Sequence, residues 1–170
     1  LQRQSKWHYL PEPAAHEVRV GIMGLGVMGQ AAITVLKPFG YQLRGWSRTK
    51  KTIDGVRTFT GDAERDAFLA ETDVLACVLP ATHATRGILE ADLFARLSRT
   101  GRSDRLPGPV LINAGRGSLQ VEADILSSLD AGKLYAASLD VFEVEPLPDT
   151  SPLWRHPRVI VTPHNAAEST

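Results

Sequence analysis

Short apolar segments alternate with longer amphipathic ones along most of the chain. In several of the short segments, such as Val74–Leu79 and Val110–Ile112, the apolar residues are consecutive. Consecutive apolar residues over so few positions are typical of strands that are buried on both faces. We predict six strands from this pattern, over residues 18–23, 41–46, 74–79, 110–112, 135–139 and 159–161.

The amphipathic segments between the strands predict helices. After the first strand, the residues Met28, Ala31, Ala32, Val35 and Leu36 recur at helical spacing and form one apolar stripe. A stripe of this kind usually faces the core. Further helices are predicted over residues 62–69, 86–97 and 121–129.

The order of these elements indicates an α/β domain. Short buried strands that alternate with helices form a parallel sheet with helices on both faces, and six strands complete a doubly wound sheet. We assign this domain to residues 18–170. Residues 1–17 are mostly polar, and Pro11-Glu12-Pro13 lies near the end of this segment. We therefore expect a short helical lead-in followed by a linker. Residues 98–109 are predicted to form a mobile surface loop.

Composition excludes several classes of protein. The 170 residues carry 19 Lys and Arg against 19 Asp and Glu, and this balance argues against nucleic-acid partners and against attraction to anionic membranes. No run of about 18 apolar residues predicts a transmembrane helix. The single cysteine, Cys77, excludes an intramolecular disulfide, is expected in the core, and is compatible with a cytoplasmic protein. No His or Cys cluster has metal-ligand spacing, so no metal is predicted.

A glycine-rich loop follows the first strand. Gly24-Leu25-Gly26-Val27-Met28-Gly29 has the G-x-G-x-x-G spacing and begins an amphipathic helix. In a dinucleotide site, Gly24 allows the tight turn, Gly26 lets the backbone approach a pyrophosphate, and Gly29 lets the helix lie close to the strand. The helix N-terminus, at Val27 and Met28, then offers free N–H groups to the phosphates. We predict dinucleotide binding by a Rossmann fold; the alternative is a structural glycine-rich turn.

The end of the second strand, Trp46-Ser47-Arg48-Thr49-Lys50-Lys51, indicates which dinucleotide is bound. An NAD site places a carboxylate there to bind the 2′-hydroxyl of the adenosine ribose, and this segment contains none. A guanidinium can bind a 2′-phosphate through two parallel hydrogen bonds. We therefore predict NADP(H) as the preferred cofactor, with NAD(H) as the alternative. Arg48 is expected on the phosphate, with hydroxyls from Ser47 and Thr49 and added charge from Lys50 or Lys51; the alternative is a solvated basic turn.

Three further motifs lie at predicted strand ends. They are Asn113-Ala114-Gly115-Arg116-Gly117, Leu139-Asp140-Val141-Phe142-Glu143-Val144-Glu145-Pro146-Leu147-Pro148 and Thr162-Pro163-His164-Asn165-Ala166-Ala167. With the glycine loop, and in this order, they resemble the D-isomer-specific 2-hydroxyacid dehydrogenases, and most closely the glyoxylate/hydroxypyruvate reductase A group of that family. The resemblance covers nearly the whole chain. It implies an NAD(P)-dependent oxidoreductase that reduces small 2-oxo acids, of the glyoxylate and hydroxypyruvate type, to D-2-hydroxy acids.

The resemblance also implies roles for individual residues. Arg116 matches the arginine that binds the oxo acid, His164 matches the general acid, and Glu145 matches the carboxylate paired with that histidine. These residue types suit the reaction, because hydride attack on a ketone builds charge on oxygen that a cation and a proton donor stabilise. The alternative for Asp140 is a structural role at a strand end. Cofactor-lining positions of the family match Leu79, Pro80, Thr85, Ala114, Gly115 and Asp140.

The domain organisation of the family implies a second domain and a second copy of the chain. Its members have a second domain, formed mainly by residues before the equivalent of Leu1, which closes over the cofactor and completes the substrate pocket. The chain therefore resembles the cofactor-binding domain alone, with residues 1–17 as the tail of an interdomain helix. Because closure completes such a site, we expect this chain to bind cofactor better than it catalyses. Family members are typically dimers through this domain, which implies a homodimer.

Other functions stay open at this point. A β-hydroxyacid dehydrogenase has a similar glycine loop but relies on a later helical lysine that this sequence does not place. A nucleotide-sensing protein similar to the C-terminal-binding co-repressors has the same fold and the same residues, and its cofactor gates a protein surface. Turnover of a small 2-oxo acid separates an enzyme from such a sensor. A methyltransferase is disfavoured, because a ribose diol prefers a carboxylate partner at the end of the second strand.

Overall fold

The computed structural model describes residues 12–166 together with Ser5 and Trp7. Most of the predicted helix tail and linker in residues 1–17 lies outside this described part. A short 3₁₀ helix, Ala15–Glu17, leads into the first strand. Within the described residues, no helix has the length and apolar character needed to cross a membrane. The same residues contain no cluster of three or more His, Cys, Asp or Glu side chains suited to a metal ion.

A seven-stranded parallel sheet forms the centre of the structure. Its strands are β1 (Arg19–Met23), β2 (Gln42–Ser47), β3 (Arg57–Thr60), β4 (Val74–Cys77), β5 (Val110–Asn113), β6 (Ala136–Leu139) and β7 (Val159–Val161). They lie in the order β3-β2-β1-β4-β5-β6-β7. Val20 of β1 pairs with Leu43 on one side and with Val74 on the other. This arrangement confirms the predicted doubly wound α/β architecture, a Rossmann fold, and puts the reversal of strand order between β1 and β4.

Four α-helices connect the strands. They are α1 (Val27–Leu36), α2 (Gly61–Ala70), α3 (Ala91–Phe94) and α4 (Glu122–Asp130). The acidic residues Glu122 and Asp124 lie in the first turn of α4, where they complement the helix dipole. Gly132 lies just beyond its last turn with a φ of 70°, a left-handed conformation that suits a helix end.

The sheet separates two apolar cores. Side chains alternate along β4, so Leu75 and Cys77 face one core while Val74 and Ala76 face the other. The first core is packed by α2, α3 and α4, and most of its residues are buried. The second core includes Ile33 of α1 and, from β4, Val74 and Ala76. On the same face of the sheet, the residues of β4, β5 and β6 are only half-buried. The described helices therefore cover the second face less completely than the first.

Two elements differ from the sequence predictions. The edge strand β3 was missed, because Phe59 is its single large apolar residue and gives no apolar run. The helix predicted over 86–97 is reduced to the four residues of α3. Gly87 is left-handed, with a φ of 66°, and Leu89 instead forms a parallel bridge with Gln120. Backbone pairing at Leu89 therefore replaces the first helical turn.

The apolar stripe predicted for α1 faces the core only in part: Leu36 packs against the core around Ile33, whereas Ala31 is exposed. Met28 and Val35 are exposed by 53% and 66%, and the buried residues of the helix are Gly29 and Ile33. Gly29 explains the orientation, because a Cβ on this residue would lie 1.9 Å from the carbonyl oxygen of Gly24. Only the glycine side of α1 can approach β1 so closely, and Met28 and Val35 of the stripe consequently lie on the surface.

A buried ion pair anchors the loop over residues 98–109. At the edge of the sheet where the strands begin, Arg19 Nε donates to Asp73 Oδ2 at 2.9 Å, and Ser98 Oγ donates to Asp73 Oδ1 at 2.6 Å. Arg19 also donates to the carbonyl of Thr100. Burial raises the pKa of Asp73, but the hydrogen bonds from Arg19 and Ser98 outweigh it and the pKa is lowered. The first residues of the predicted mobile loop are therefore tied to the sheet.

Candidate cofactor and active site

A cleft of about 540 Å³ opens at the carboxyl ends of β1, β2 and β4, where the strand order reverses. Doubly wound sheets bind ligands at such a reversal. The cleft brings together Gly24, Gly26, Val27, Ser47, Arg48, Thr49, Leu79, Pro80 and Thr85 from the sequence-predicted cofactor residues. Met28 and Gly29 lie on the first turn of α1, beside the cleft but outside its lining.

The glycine loop has the geometry that a dinucleotide needs. Gly24 has a φ of 116°, which favours glycine, and a Cβ on Gly26 would meet nothing within 4 Å. Gly26 caps α1 without a side chain, and the first turn of the helix contains no acidic residue. The first N–H groups of α1 are thus left for an anion, as at other phosphate sites on helix N-termini. This open cradle fits the pyrophosphate of a dinucleotide cofactor.

Three basic side chains line the end of the cleft beside β2. They are Arg48, Lys51 and Arg65, of which Arg65 lies 3.3 Å from the carboxylate of Asp62. Ser47 is buried, and its Oγ donates to the carbonyl of Thr49 at 2.7 Å, which shapes the turn that presents the exposed Arg48. The positive charge suits a phosphate. Lys51, rather than Lys50, lines the cleft.

The segment after β4 forms the opposite wall of the cleft. Thr85 Oγ1 donates to the carbonyl of Pro80 at 2.7 Å and accepts from the backbone N–H of Thr82 at 2.9 Å. These bonds close a turn that keeps Leu79, Pro80 and Thr85 at the cleft. The side chain of Thr85 is therefore already used to shape the wall.

Arg116 extends from a tight turn after β5. Asn113 is fully buried, and its Oδ1 accepts from the N–H of Gly115 at 3.1 Å. A Cβ on Gly115 would lie 3.0 Å from the carbonyl of Leu79, so the turn packs against the cleft wall. Arg116 itself is exposed, and its guanidinium contacts the carbonyl of Gly115 at 2.7 Å. The guanidinium is available to a carboxylate ligand.

Glu145 and His164 are paired beyond the ends of β6 and β7. His164 Nδ1 lies 2.7 Å from Glu145 Oε2, and the other carboxylate oxygen accepts from the N–H of Phe142 at 2.9 Å. The hydrogen bond with His164 is the main cause that lowers the pKa of Glu145. His164 has a φ of 53°, which is uncommon for a residue with a side chain and concentrates at functional sites. The ring is therefore oriented by Glu145 with Nε2 directed elsewhere.

Asp140 holds the loop that carries His164. Its carboxylate accepts from Thr162 Oγ1 at 2.5 Å and from the N–H groups of Asn165 at 3.1 Å and Ala166 at 3.0 Å. Burial raises the pKa of Asp140, but these three donors outweigh it and the pKa is lowered. The three donors hold Asp140 against the loop of His164, and contact between Asp140 and the cofactor stays a prediction.

Sequence reasoning did not find several residues that shape the site. Gln120 is buried and joins the Arg116 turn to the loop after β6 through Asn113 and Val141. Thr162 fixes Asp140. Arg65 approaches the cleft from α2 and lies outside the basic run at the end of β2. Only Thr162 had a signal in the sequence, because it belongs to the motif that contains His164.

Known proteins match this combination of fold and site. The model of the D-isomer specific 2-hydroxyacid dehydrogenase NAD-binding domain matches residues 1–166. The chain therefore belongs to the D-isomer specific 2-hydroxyacid dehydrogenase family and comprises its NAD-binding domain. This assignment excludes the β-hydroxyacid dehydrogenase alternative, and the glycine loop, Arg116 turn and His164–Glu145 pair lie where the strand ends of this domain meet.

Individual relatives are similar over nearly the whole chain. Glyoxylate/hydroxypyruvate reductase A of Serratia proteamaculans is 46% identical over 167 residues, which is 98% of this chain and 51% of that protein. The reductase A of Salmonella paratyphi B is 47% identical over 168 residues, again 98% of this chain and 51% of that protein. The chain thus spans about half the length of the curated relatives it matches.

Solved structures of family members also match nearly the whole chain. The NADPH-dependent glyoxylate/hydroxypyruvate reductase of Sinorhizobium meliloti, in complex with NADP and sulfate, is 53% identical, with a TM-score of 0.93 over 99% of this chain and 52% of that one. A D-isomer specific 2-hydroxyacid dehydrogenase of Xanthobacter autotrophicus, in complex with NADPH and MES, is 42% identical, with a TM-score of 0.91 over 99% of this chain and 66% of that one.

Proposed function

We propose that the chain is the NADP(H)-binding part of an enzyme that reduces small 2-oxo acids, such as glyoxylate and hydroxypyruvate, to D-2-hydroxy acids. The observation that carries this proposal is the His164–Glu145 pair, 2.7 Å apart, at the same edge of the sheet as the Arg116 turn and the glycine-lined cleft. Relatives named as glyoxylate/hydroxypyruvate reductases, 46% and 47% identical, support the choice of substrate class.

NADP(H) is the cofactor that the cleft favours. Arg48 and Lys51 line its ribose end, and the segment 46–51 contributes no carboxylate that would repel a 2′-phosphate. The solved relative from Sinorhizobium meliloti is bound to NADP, which agrees with this choice. Gly24, Gly26 and the N-terminus of α1 would hold the pyrophosphate.

The chain's own residues supply binding and the proton. Arg116 binds the carboxylate of the 2-oxo acid through two parallel N–H donors, which also orients its carbonyl. Glu145 holds Nδ1 of His164, so Nε2 is the atom that delivers a proton to the carbonyl oxygen. The nicotinamide, when bound, supplies the hydride to the carbonyl carbon. Asp140 keeps the loop of His164 in place through the N–H groups of Asn165 and Ala166.

The complete protein includes, in this proposal, a second domain and a second copy. A substrate domain would close over the cleft, which agrees with the chain spanning about half the length of its curated relatives. A homodimer would cover the apolar outward face of α1, where Met28, Val35 and the adjoining Phe39 are exposed. We also propose a cytoplasmic location, because the single cysteine, Cys77, is free and buried and no disulfide is needed for the fold.

Paired measurements on the protein as its gene encodes it test the proposed function. Calorimetric titration is expected to give an affinity for NADPH at least about tenfold higher than for NADH, which corresponds to about 1.4 kcal/mol. Absorbance of NADPH should then fall when glyoxylate or hydroxypyruvate is added. Tight NADPH binding with no turnover of either acid would instead favour the nucleotide-sensing alternative. A preference for NADH would overturn the assignment of Ser47, Arg48 and Thr49.

A further inference from the structure

Gln120 lies buried between the two loops that carry the proposed active-site residues. It follows the 3₁₀ helix Gly117–Leu119 and is 2% exposed. Its Oε1 accepts from Asn113 Nδ2 at 2.8 Å, and its Nε2 donates to the carbonyl of Val141 at 2.9 Å. Both ends of a buried amide are thus satisfied, and leaving either end unpaired is costly.

One end of this amide fixes the turn from which Arg116 extends. Asn113 Nδ2 donates to Gln120 and lies 3.3 Å from the carbonyl of Arg116, while its Oδ1 accepts from the N–H of Gly115. The side-chain amide of Asn113 therefore braces the backbone on both sides of the turn. Gln120 keeps that amide in its orientation.

The other end fixes the loop that carries Glu145. Val141 accepts from Gln120, and the next residue, Phe142, donates its N–H to Glu145 Oε1 at 2.9 Å. Glu145 Oε2 holds His164 at 2.7 Å. A continuous series of hydrogen bonds therefore runs from the backbone of Arg116 to the ring of His164.

Two further contacts leave these loops little room to slide. A Cβ on Gly117 would lie 1.7 Å from the carbonyl oxygen of Phe142, so the backbones touch there. Glu143 Oε1 accepts from the N–H of Glu122 at 3.0 Å, and Glu122 Oε1 accepts from the N–H of Glu143 at 2.9 Å. These two reciprocal hydrogen bonds join the start of α4 to the loop after β6.

We propose that Gln120 is a positioning residue that sets the place of the Arg116 guanidinium relative to the His164 ring. An oxo acid held by Arg116 then presents its carbonyl oxygen to His164, and this step rests on the proposed function. Small misplacements of reacting groups have large effects on rate, about 10²-fold for about 1 Å. A side chain of similar length that lacks the amide donor and carbonyl acceptor should therefore impair turnover without touching the cofactor.

Gln120→Met in the protein as encoded is the direct test. We expect kcat/KM for glyoxylate to fall about tenfold or more, while the Kd for NADPH stays within about twofold. Thr72→Val is the matched control, because Thr72 is fully buried and donates to the carbonyl of Phe68 at 2.7 Å, at the opposite edge of the sheet. It should lose stability but keep kcat/KM within about twofold. Equal kinetic losses in both variants would overturn the inference.

Amide hydrogen exchange supplies a readout that does not depend on turnover. Gln120→Met should speed exchange at the N–H groups of Gly115 and Phe142 together, whereas Thr72→Val should not. Glu143→Ala, at an exposed position, should speed exchange at Phe142 but not at Gly115. Faster exchange at both amides in a protein without turnover would refute the proposed function and retain Gln120 as the link between the loops. Unchanged exchange at both amides in Gln120→Met would refute the link.

Discussion

Single side chains at the ends of parallel strands carry most of the proposed chemistry. Arg48, Arg116 and His164 are all exposed, and each is presented by a turn whose backbone is fixed by neighbours. Ser47 bonds to Thr49 beneath Arg48, Asn113 braces the turn of Arg116, and Asp140 holds the loop of His164. Substitution of an exposed side chain of this kind should change binding or rate with little change in stability.

Removal of the guanidinium beside β2 tests cofactor choice. Arg48→Ala should weaken NADPH binding about 10- to 100-fold, because a bidentate pair with the 2′-phosphate is lost, and leave NADH binding within about twofold. Calorimetry with both cofactors measures the difference. Lys50→Ala is the control, since it removes an equal charge from a residue outside the cleft lining. Equal losses for NADPH and NADH would remove Arg48 from the phosphate.

Loss of the imidazole tests the proton donor. His164→Ala should lower kcat about 10²- to 10⁴-fold, the usual contribution of a positioned acid, and leave the Kd for NADPH unchanged. Steady-state kinetics with glyoxylate, beside calorimetry, measures both quantities. Glu145→Gln keeps a group that can bond to Nδ1 and should lose less than His164→Ala. Near-normal kcat in His164→Ala would exclude the proposed acid.

At the scale of elements, contact between α1 and β1 depends on one glycine, and access to the cleft depends on another. Gly29→Ala places a methyl group 1.9 Å from the carbonyl oxygen of Gly24, so we expect about 1–3 kcal/mol loss in the free energy of unfolding. Gly26→Ala meets nothing within 4 Å, so stability should hold while NADPH binding falls. Urea unfolding and calorimetry compare the two variants. Equal stability losses would contradict this division of roles.

The buried Arg19–Asp73 pair should make stability depend on acid pH. The pKa of Asp73 is lowered in the folded state. The carboxylate therefore contributes to the free energy of unfolding above its unfolded pKa of about 4, and this contribution is lost as the pH falls through its pKa in the folded state. Asp73→Asn should lower the free energy of unfolding by about 3–5 kcal/mol at pH 7, because Arg19 is left unpaired. The difference in free energy of unfolding between this variant and the wild type should become smaller below about pH 4. Urea unfolding at pH 7 and pH 3 measures both effects. Asp54→Asn, in an exposed pair with Lys37, should change nothing measurable.

The sequence predicts elements well where apolar residues are consecutive. It predicts them poorly where tertiary contacts determine the orientation or the length of an element. Six strands and the ends of α1, α2 and α4 follow from local patterns. The orientation of α1 does not, because Gly29 and its contact with Gly24 outweigh the apolar stripe. The shortening of α3 depends on the pairing of Leu89 with Gln120, thirty-one positions away in a segment with no matching local signal. The role of Gln120 could not be predicted for the same reason, because its partners Asn113 and Val141 are brought to it by the fold.

At the scale of the molecule, the exposed apolar face of α1 is the feature most directly connected to assembly. A helix that is apolar on its outer side usually packs against something further. Val35→Lys should shift the protein from dimer to monomer in light scattering after size exclusion, because it puts a charge into the proposed contact between copies. Ala123→Lys adds the same charge to an exposed position of α4 and should leave the mass unchanged. A wild-type monomer would exclude the proposed dimer.

The position of β1 in the sheet has a consequence for synthesis of the chain. β1 is an interior strand of the sheet and precedes its neighbour β4 in the chain: the Asp73–Val74 end of β4 lies 54 residues beyond Arg19. At translation rates of about 5–20 residues per second, this interval lasts roughly 3–11 s. During that time β1 can pair with β2, but its other edge, where Val20 and Ile22 later pair with Val74 and Ala76, has no native partner strand. A nascent chain in which one edge of an interior strand stays unpaired for several seconds is expected to bind ribosome-associated chaperones.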